Sequence, residues 1–292
     1  MTDDQMKPPG TESGVNRRIS RALYRQLVWL HDSGRAMGIH LTASKGAGKS
    51  RLLGRIAWQD FLRGYPLVLL EPNGPSLDNF LSVLVRTPEP HLGRLLKRVI
   101  YVDVTGSAGS VVPFPLYYRM DTESRFTIAQ RHLEVVRKLD PYLQTASIQG
   151  WNALWRVGTF AGIALSAMGL QVTEADALIR EPEFFLPRLE QLGKMEPEVE
   201  SSATFFQSLA RENARNRANA TDAYLNKIGV FNLDPTMRAM FGASTPGVDW
   251  AQVVAQGKAV LFDFRHETDL ERTRFKMLWV LSNFLEFIRR RG

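Results

Sequence analysis

One short run of small and basic residues carries the strongest chemical signal in the chain. Ala43-Ser44-Lys45-Gly46-Ala47-Gly48-Lys49-Ser50 follows the phosphate-loop pattern G-x-x-x-x-G-K-[ST], with Ala where the first Gly is usual. Glycines at positions 46 and 48 let the backbone curl so that successive N–H groups face β- and γ-phosphates with no side chain between. Lys49 supplies a point charge between those phosphates, and Ser50 offers its hydroxyl to Mg²⁺. A helix that begins near Gly48 adds its positive end, with Arg51 next in line. Ser44, Lys45, Gly46, Ala47, Gly48, Lys49, Ser50 and Arg51 are therefore the expected nucleotide-binding residues. The expected cofactors are ATP and Mg²⁺. ATP is taken over GTP by default, because no Asn-Lys-x-Asp guanine-reading run occurs.

Phosphoryl transfer also needs an acid that holds the cation and polarises water, normally at the end of a neighbouring strand. Glu71, Asp103 and Asp263 each close an apolar run. Val260-Leu261-Phe262-Asp263 has the look of a Walker B strand, yet the next residue is Phe264 and not a water-positioning Glu. Lys49, Asp263 and Glu71 are the catalytic candidates, and Ser50 with Asp263 are the metal candidates. For each acid, a hydrogen-bonded strand-end carboxylate is the competing reading.

The elements around these residues alternate. Apolar runs at Gly38–Ala43, Tyr65–Leu70 and Val99–Val104 read as strands, and Arg51–Arg63 and Leu77–Val85 read as amphipathic helices. That alternation predicts an α/β fold with a mostly parallel sheet covered on both faces. From about Met120 to Trp250 no strand is evident. Helical periodicity runs instead over Ser124–Arg137, Trp151–Met168, Thr173–Leu192 and Ser201–Gly229. Strand character returns at Ala259–Phe264, before a long helix over Leu270–Ile288. The implied division is a loose tail over 1–17, a phosphate-loop α/β domain over 18–119 and 251–292, and an all-helical insertion over 120–250. Arg18–His31 reads as a further helix with Ile19, Leu23, Leu27 and Leu30 on its apolar side.

Composition narrows the classes. The chain has 292 residues, 44% of them hydrophobic, which excludes bulk disorder and low-complexity scaffolds. Cys is absent, so disulfides, thiolate zinc sites and a cysteine nucleophile are excluded. Lys and Arg number 37 against 30 Asp and Glu, a net charge of +7 that suits polyanionic partners. The N-terminal stretch has no apolar core of a signal peptide, and Val157–Val172 falls short of the ~20 residues that span a bilayer, so no membrane span is expected.

The order of these pieces resembles the P-loop motor ATPases of the conjugative coupling type (TraG-like), relatives of HerA and FtsK. Four stretches carry the likeness: the phosphate loop; Leu67-Val-Leu-Leu-Glu-Pro-Asn-Gly74, similar to a strand that usually ends Asp-Pro-x-Gly; Arg98-Val-Ile-Tyr-Val-Asp103 with Val112-Pro-Phe-Pro-Leu116; and Phe231 to Phe264, including Asp234-Pro-Thr-Met-Arg238, Phe241-Gly242, Asp249 and Gly257-Lys-Ala-Val-Leu-Phe-Asp263. Glu71 stands where Asp is usual and Phe114 where Asn is usual. The resemblance implies a RecA-like fold, DNA translocation driven by ATP, a ring-shaped homo-oligomer (a hexamer), and partners among DNA-processing or secretion proteins. It places the protein in the cytoplasm, recruited to a membrane-bound transfer complex. It also implies that the Asp-Glu pair of the Walker B strand lies beyond Gly292, the chain being a fragment or a trimmed form. The alternative is a non-catalytic, nucleotide-switched DNA-binding or assembly module.

Other features have plainer readings beside functional ones. Arg211, Arg215 and Arg217 with Asn213, Asn216 and Asn219 could track a phosphate backbone or form a solvated helix face. Arg289, Arg290 and Arg291 suit the end of a helix. Arg265 is a candidate arginine finger, Trp151 and Trp155 read as packing, and His40 as a residue packed in its strand.

Overall fold

The computed structural model describes residues 42, 44, 46–72, 74–107, 109–119, 123–139 and 148–291. By contacts the chain forms two units, Met1–Lys49 and Ser50–Gly292. The expected tail, the helix at Arg18–His31, His40 and all but one residue of the strand at Gly38–Ala43 lie outside the described residues.

Among the described residues, the larger unit holds a three-stranded parallel sheet. β1 is Leu67–Glu71, β2 is Val99–Asp103 and β3 is Ala259–Asp263, in the spatial order β1-β3-β2. Every residue of β3 is buried, which is why its sequence is a continuous apolar run and not an alternating one. Ala259 and Leu261 face α1 (Lys49–Leu62) and α2 (Pro75–Val85) through Ala57, Phe61, Leu77, Phe80 and Leu84. Val260 and Phe262 face a much larger core built from the helices that follow. The short helix α3 (His91–Leu96), which the periodicity does not reveal, leads into β2.

Between β2 and β3 the described residues form helices only. These are α4 (Arg125–Leu139), α5 (Ile148–Met168), a 3₁₀ turn at Val172–Glu174, α6 (Ala175–Arg180), α7 (Pro182–Gly193), α8 (Pro197–Arg211), α9 (Ala214–Ile228), α10 (Val230–Leu233), α11 (Pro235–Phe241) and α12 (Trp250–Ala255). The chain then passes through β3 and closes with α13, Leu270–Arg291. Two of the long helices expected from periodicity are broken. Thr173–Leu192 is interrupted before Pro182, which takes the first position of α7. Ser201–Gly229 is interrupted at Asn213, whose side chain accepts the Asn216 N–H at 2.9 Å and caps α9.

α5 is the hub of this helical core. Val157, Ala161, Ala164 and Leu165 on it are buried, and Gly158 and Gly162 leave room for Leu133 and Ala129 of α4 to approach its backbone. No single helix among the described residues is long and apolar enough to cross a membrane. His132 on α4 is wholly buried among the rings of Tyr117, Phe231 and Trp279. Burial pulls its pKa down to about 3, so it is neutral at ordinary pH.

Two polar devices, one partly and one wholly buried, hold the sheet in place. Arg98, at the entry to β2, donates to the Gly257 carbonyl at 2.6 Å and to the Phe61 carbonyl at 2.7 Å, tying α1 to the approach of β3. Gly257 has φ +57, and a Cβ there would overlap the Gly64 carbonyl. Gly257→Ala is therefore expected to cost about 2–3 kcal/mol, from left-handed strain plus displacement of the adjoining backbone. Urea unfolding measures this, and an unchanged midpoint would contradict it. At the other end, Lys276 of α13 is 1% exposed. Its ammonium donates to the Val104 carbonyl at 2.7 Å and to Glu267 Oε2 at 2.6 Å.

Candidate functional site

The phosphate-loop residues described are Ser44, Gly46, Ala47, Gly48, Lys49 and Ser50; Ala43 and Lys45 lie outside the described residues. Gly46 and Gly48 have φ +85 and +89, and a Cβ on either would meet nothing within 4 Å. Steric relief from neighbours is thus not why glycine stands there. The left-handed backbone itself demands it, and that conformation is what bares the amides. The Ala47 N–H donates to the Ser44 carbonyl at 3.3 Å. Lys49 Nζ donates to the same carbonyl at 3.0 Å, folding the ammonium back over the loop. Lys49 is also the first residue of α1, which puts the helix start at the loop's last charge. Left-handed glycines, a lysine ammonium and the hydroxyl next in sequence are the residue types that a polyphosphate site uses. Arg51 is exposed on the first turn of α1.

The three candidate acids form a row. Glu71, Asp263 and Asp103 occupy matching register positions on β1, β3 and β2, at the carboxyl edge of the sheet. Three like charges in neighbouring strands would repel, and each is turned to its own partner. Glu71 Oε2 accepts the Ser76 N–H at the start of α2, at 3.3 Å. Asp103 accepts from the Thr105 amide at 2.9 Å, the Thr105 hydroxyl at 2.6 Å and the Ser107 hydroxyl at 2.7 Å.

Asp263 is held most tightly. Its side chain is 2% exposed. Tyr101 Oη donates to Oδ2 at 2.5 Å, the Arg265 amide to Oδ1 at 3.0 Å, and the Arg265 guanidinium to both oxygens, the shortest contact being 2.6 Å. Burial alone would raise its pKa. The bonds from Arg265, from Tyr101 and from the Arg265 amide outweigh burial and hold the carboxyl well below its ordinary range. Arg265 reaches on to Asp78 of α2 at 2.7 Å. Gly74, with φ +85, leaves room for the Arg265 side chain, which a Cβ would strike. The residue read as a candidate arginine finger is thus engaged within its own chain.

A pH dependence follows with a definite sign. Because the folded pKa of Asp263 is depressed, its contribution to stability is present above the unfolded value, about 3.9, and fades as pH falls through the lower folded value. In Arg265→Met the carboxylate is buried with one fewer partner and loses that contribution at neutral pH. Urea unfolding at pH 7 should show the variant clearly less stable, with the difference from wild type narrowing below about pH 4. A difference that stays constant with pH would count against the pairing.

The remaining candidates disperse into structural roles. Asp234 caps α11 by accepting the Met237 amide at 2.8 Å and pairs with Arg272. Asp249 caps α12 by accepting the Gln252 amide at 3.1 Å. Arg217 binds the Arg180 carbonyl at 2.6 Å and Glu183 at 2.8 Å, and so is turned into the helical unit. Trp151 and Trp155 meet at a tilt, with ring centroids 5.4 Å apart, and pack against the core. Among the described residues, no group of three or more His, Asp or Glu is placed to hold a metal ion. Sequence reasoning missed Tyr101 and Lys276; the second had a signal, a lysine within the apolar stripe of α13 between Phe275 and Trp279. Compared with protein-family models, with curated proteins and with solved structures, the chain finds no match in any of the three.

Proposed function

We propose that the chain binds ATP with Mg²⁺ as a P-loop protein of the DNA-translocating motor type, similar to the conjugative coupling ATPases. On this reading its fold is RecA-like, with the phosphate-loop domain over 18–119 and 251–292 and the helical insertion over 120–250. It acts on DNA as a ring-shaped homo-oligomer in the cytoplasm, recruited to a membrane-bound transfer complex. The observation that carries the reading is the loop itself: left-handed Gly46 and Gly48 before Lys49, with a helix starting at that lysine. Lys49 and the loop amides would hold the phosphates, and Ser50 would take the cation. Bound Mg·ATP would supply the phosphoanhydride whose cleavage drives movement. The net charge of +7 supports a polyanionic partner.

The state of Asp263 supports the second reading, a nucleotide-switched DNA-binding or assembly module. With both oxygens bonded to Arg265 and Tyr101, this acid could hold a cation only by giving up those partners. Phosphate release measured with and without DNA separates the two. Steady turnover stimulated by DNA is the motor's result. Tight ATP binding without turnover is the switch's, and absence of ATP binding removes both.

A further inference from the structure

A cavity of about 520 Å³ lies between α12 and the C-terminal half of α13, within the roughly 300–1,000 Å³ usual for small-molecule sites. Five of its twelve lining residues are aromatic: Phe114, Tyr118, Trp250, Trp279 and Phe287. Two of these rings already face a guanidinium. Arg131 lies 5.6 Å from the Trp279 ring and Arg291 lies 5.6 Å from the Phe287 ring. A ring whose negative face is already engaged by one cation offers less attraction to a second, so these walls favour a neutral stacked ring over an ammonium group.

The polar lining is selective too. Asp249 spends Oδ1 on the Gln252 amide, and Asn283 spends its NH₂ on the Trp279 carbonyl. The other Asp249 oxygen and the Asn283 amide oxygen accept no hydrogen bond among the described residues. Flat apolar walls with two unused acceptors call for a flat ligand that brings N–H donors. Beyond the cavity, Arg289 and Arg291 at the end of α13 are exposed and have no carboxylate partner among the described residues, which suits a ligand carrying phosphate.

We propose that this cavity binds a nucleobase bearing an exocyclic amino group, such as adenine or cytosine, with the ring stacked on its aromatic walls and the amino group donating to Asp249 or Asn283. No residue of the phosphate loop lines the cavity, so it is tested in the full chain carrying Lys49→Ala. Calorimetry with AMP and with IMP, which has a carbonyl in place of the amino group, gives the first readout. AMP should bind, and IMP about tenfold more weakly, the effect of losing one hydrogen bond to a charged or amide acceptor. Added to that background, Phe287→Ala and Asn283→Leu should each weaken AMP by about tenfold, with the circular dichroism spectrum unchanged. Oligonucleotides of dC and dT distinguish the source of the base. A dC strand that binds more tightly than AMP, and less so in high salt, supports a base within a strand. Equal affinity per base supports a free nucleotide. The proposal is overturned if AMP does not bind the Lys49→Ala protein, if AMP and IMP bind alike, or if neither cavity substitution changes the affinity.

Discussion

Lys49→Ala should remove measurable ATP binding while leaving the fold intact. In the structure Lys49 Nζ bonds the Ser44 carbonyl across the loop, a neutral partner that a phosphate oxygen readily displaces. Losing a charged donor from a polyphosphate site costs about 3 kcal/mol, a hundredfold or more in affinity. Calorimetry with Mg²⁺ and a non-hydrolysable ATP analogue measures it, alongside a thermal melt to show that the variant folds. A variant that keeps wild-type affinity would end the phosphate-loop assignment, and with it both the motor and the switch.

The largest loss of stability is expected from Lys276→Ala. The ammonium is buried against Glu267 and the Val104 carbonyl, so it joins α13 to the segment leaving β2 and to the turn after β3. Removing it strands a buried carboxylate that is 7% exposed, with Arg272 no nearer than 3.6 Å. Breaking one side of such a pair costs about 3–5 kcal/mol. Replacing both members, Lys276→Met with Glu267→Leu, should cost less than the single change, because no uncompensated charge remains. Urea unfolding of the two variants decides it. A single variant within about 1 kcal/mol of wild type would mean that the pair is solvated and contributes little.

The strands were legible because each is a short apolar run that stops at an acid, and all three described strands fall within two residues of the runs read from sequence. The helix breaks before Pro182 and at Asn213 were not, although both residue types were visible. Apolar periodicity continues through each break, and periodicity says nothing about a change of axis. The left-handed turns at Gly46 and Gly48 and the helix that starts at Lys49 were legible because both are set by local sequence. The fate of Asp263 was not, since Tyr101 belongs to a different strand and meets the acid only through sheet register. The aromatic cavity was beyond sequence reasoning for the same reason: its walls come from residues 114–118, 245–251 and 279–287.

The spatial order β1-β3-β2 bears on how the protein is made. Among the described strands the middle one is the last to be synthesised, and the two outer ones bond to it rather than to each other. Until residues 259–263 emerge, the bonding edges of both earlier strands stay unsatisfied while the whole helical segment is being synthesised. Nascent chains that halt before that point should therefore be sticky and dependent on chaperones, and the sheet should form late and slowly.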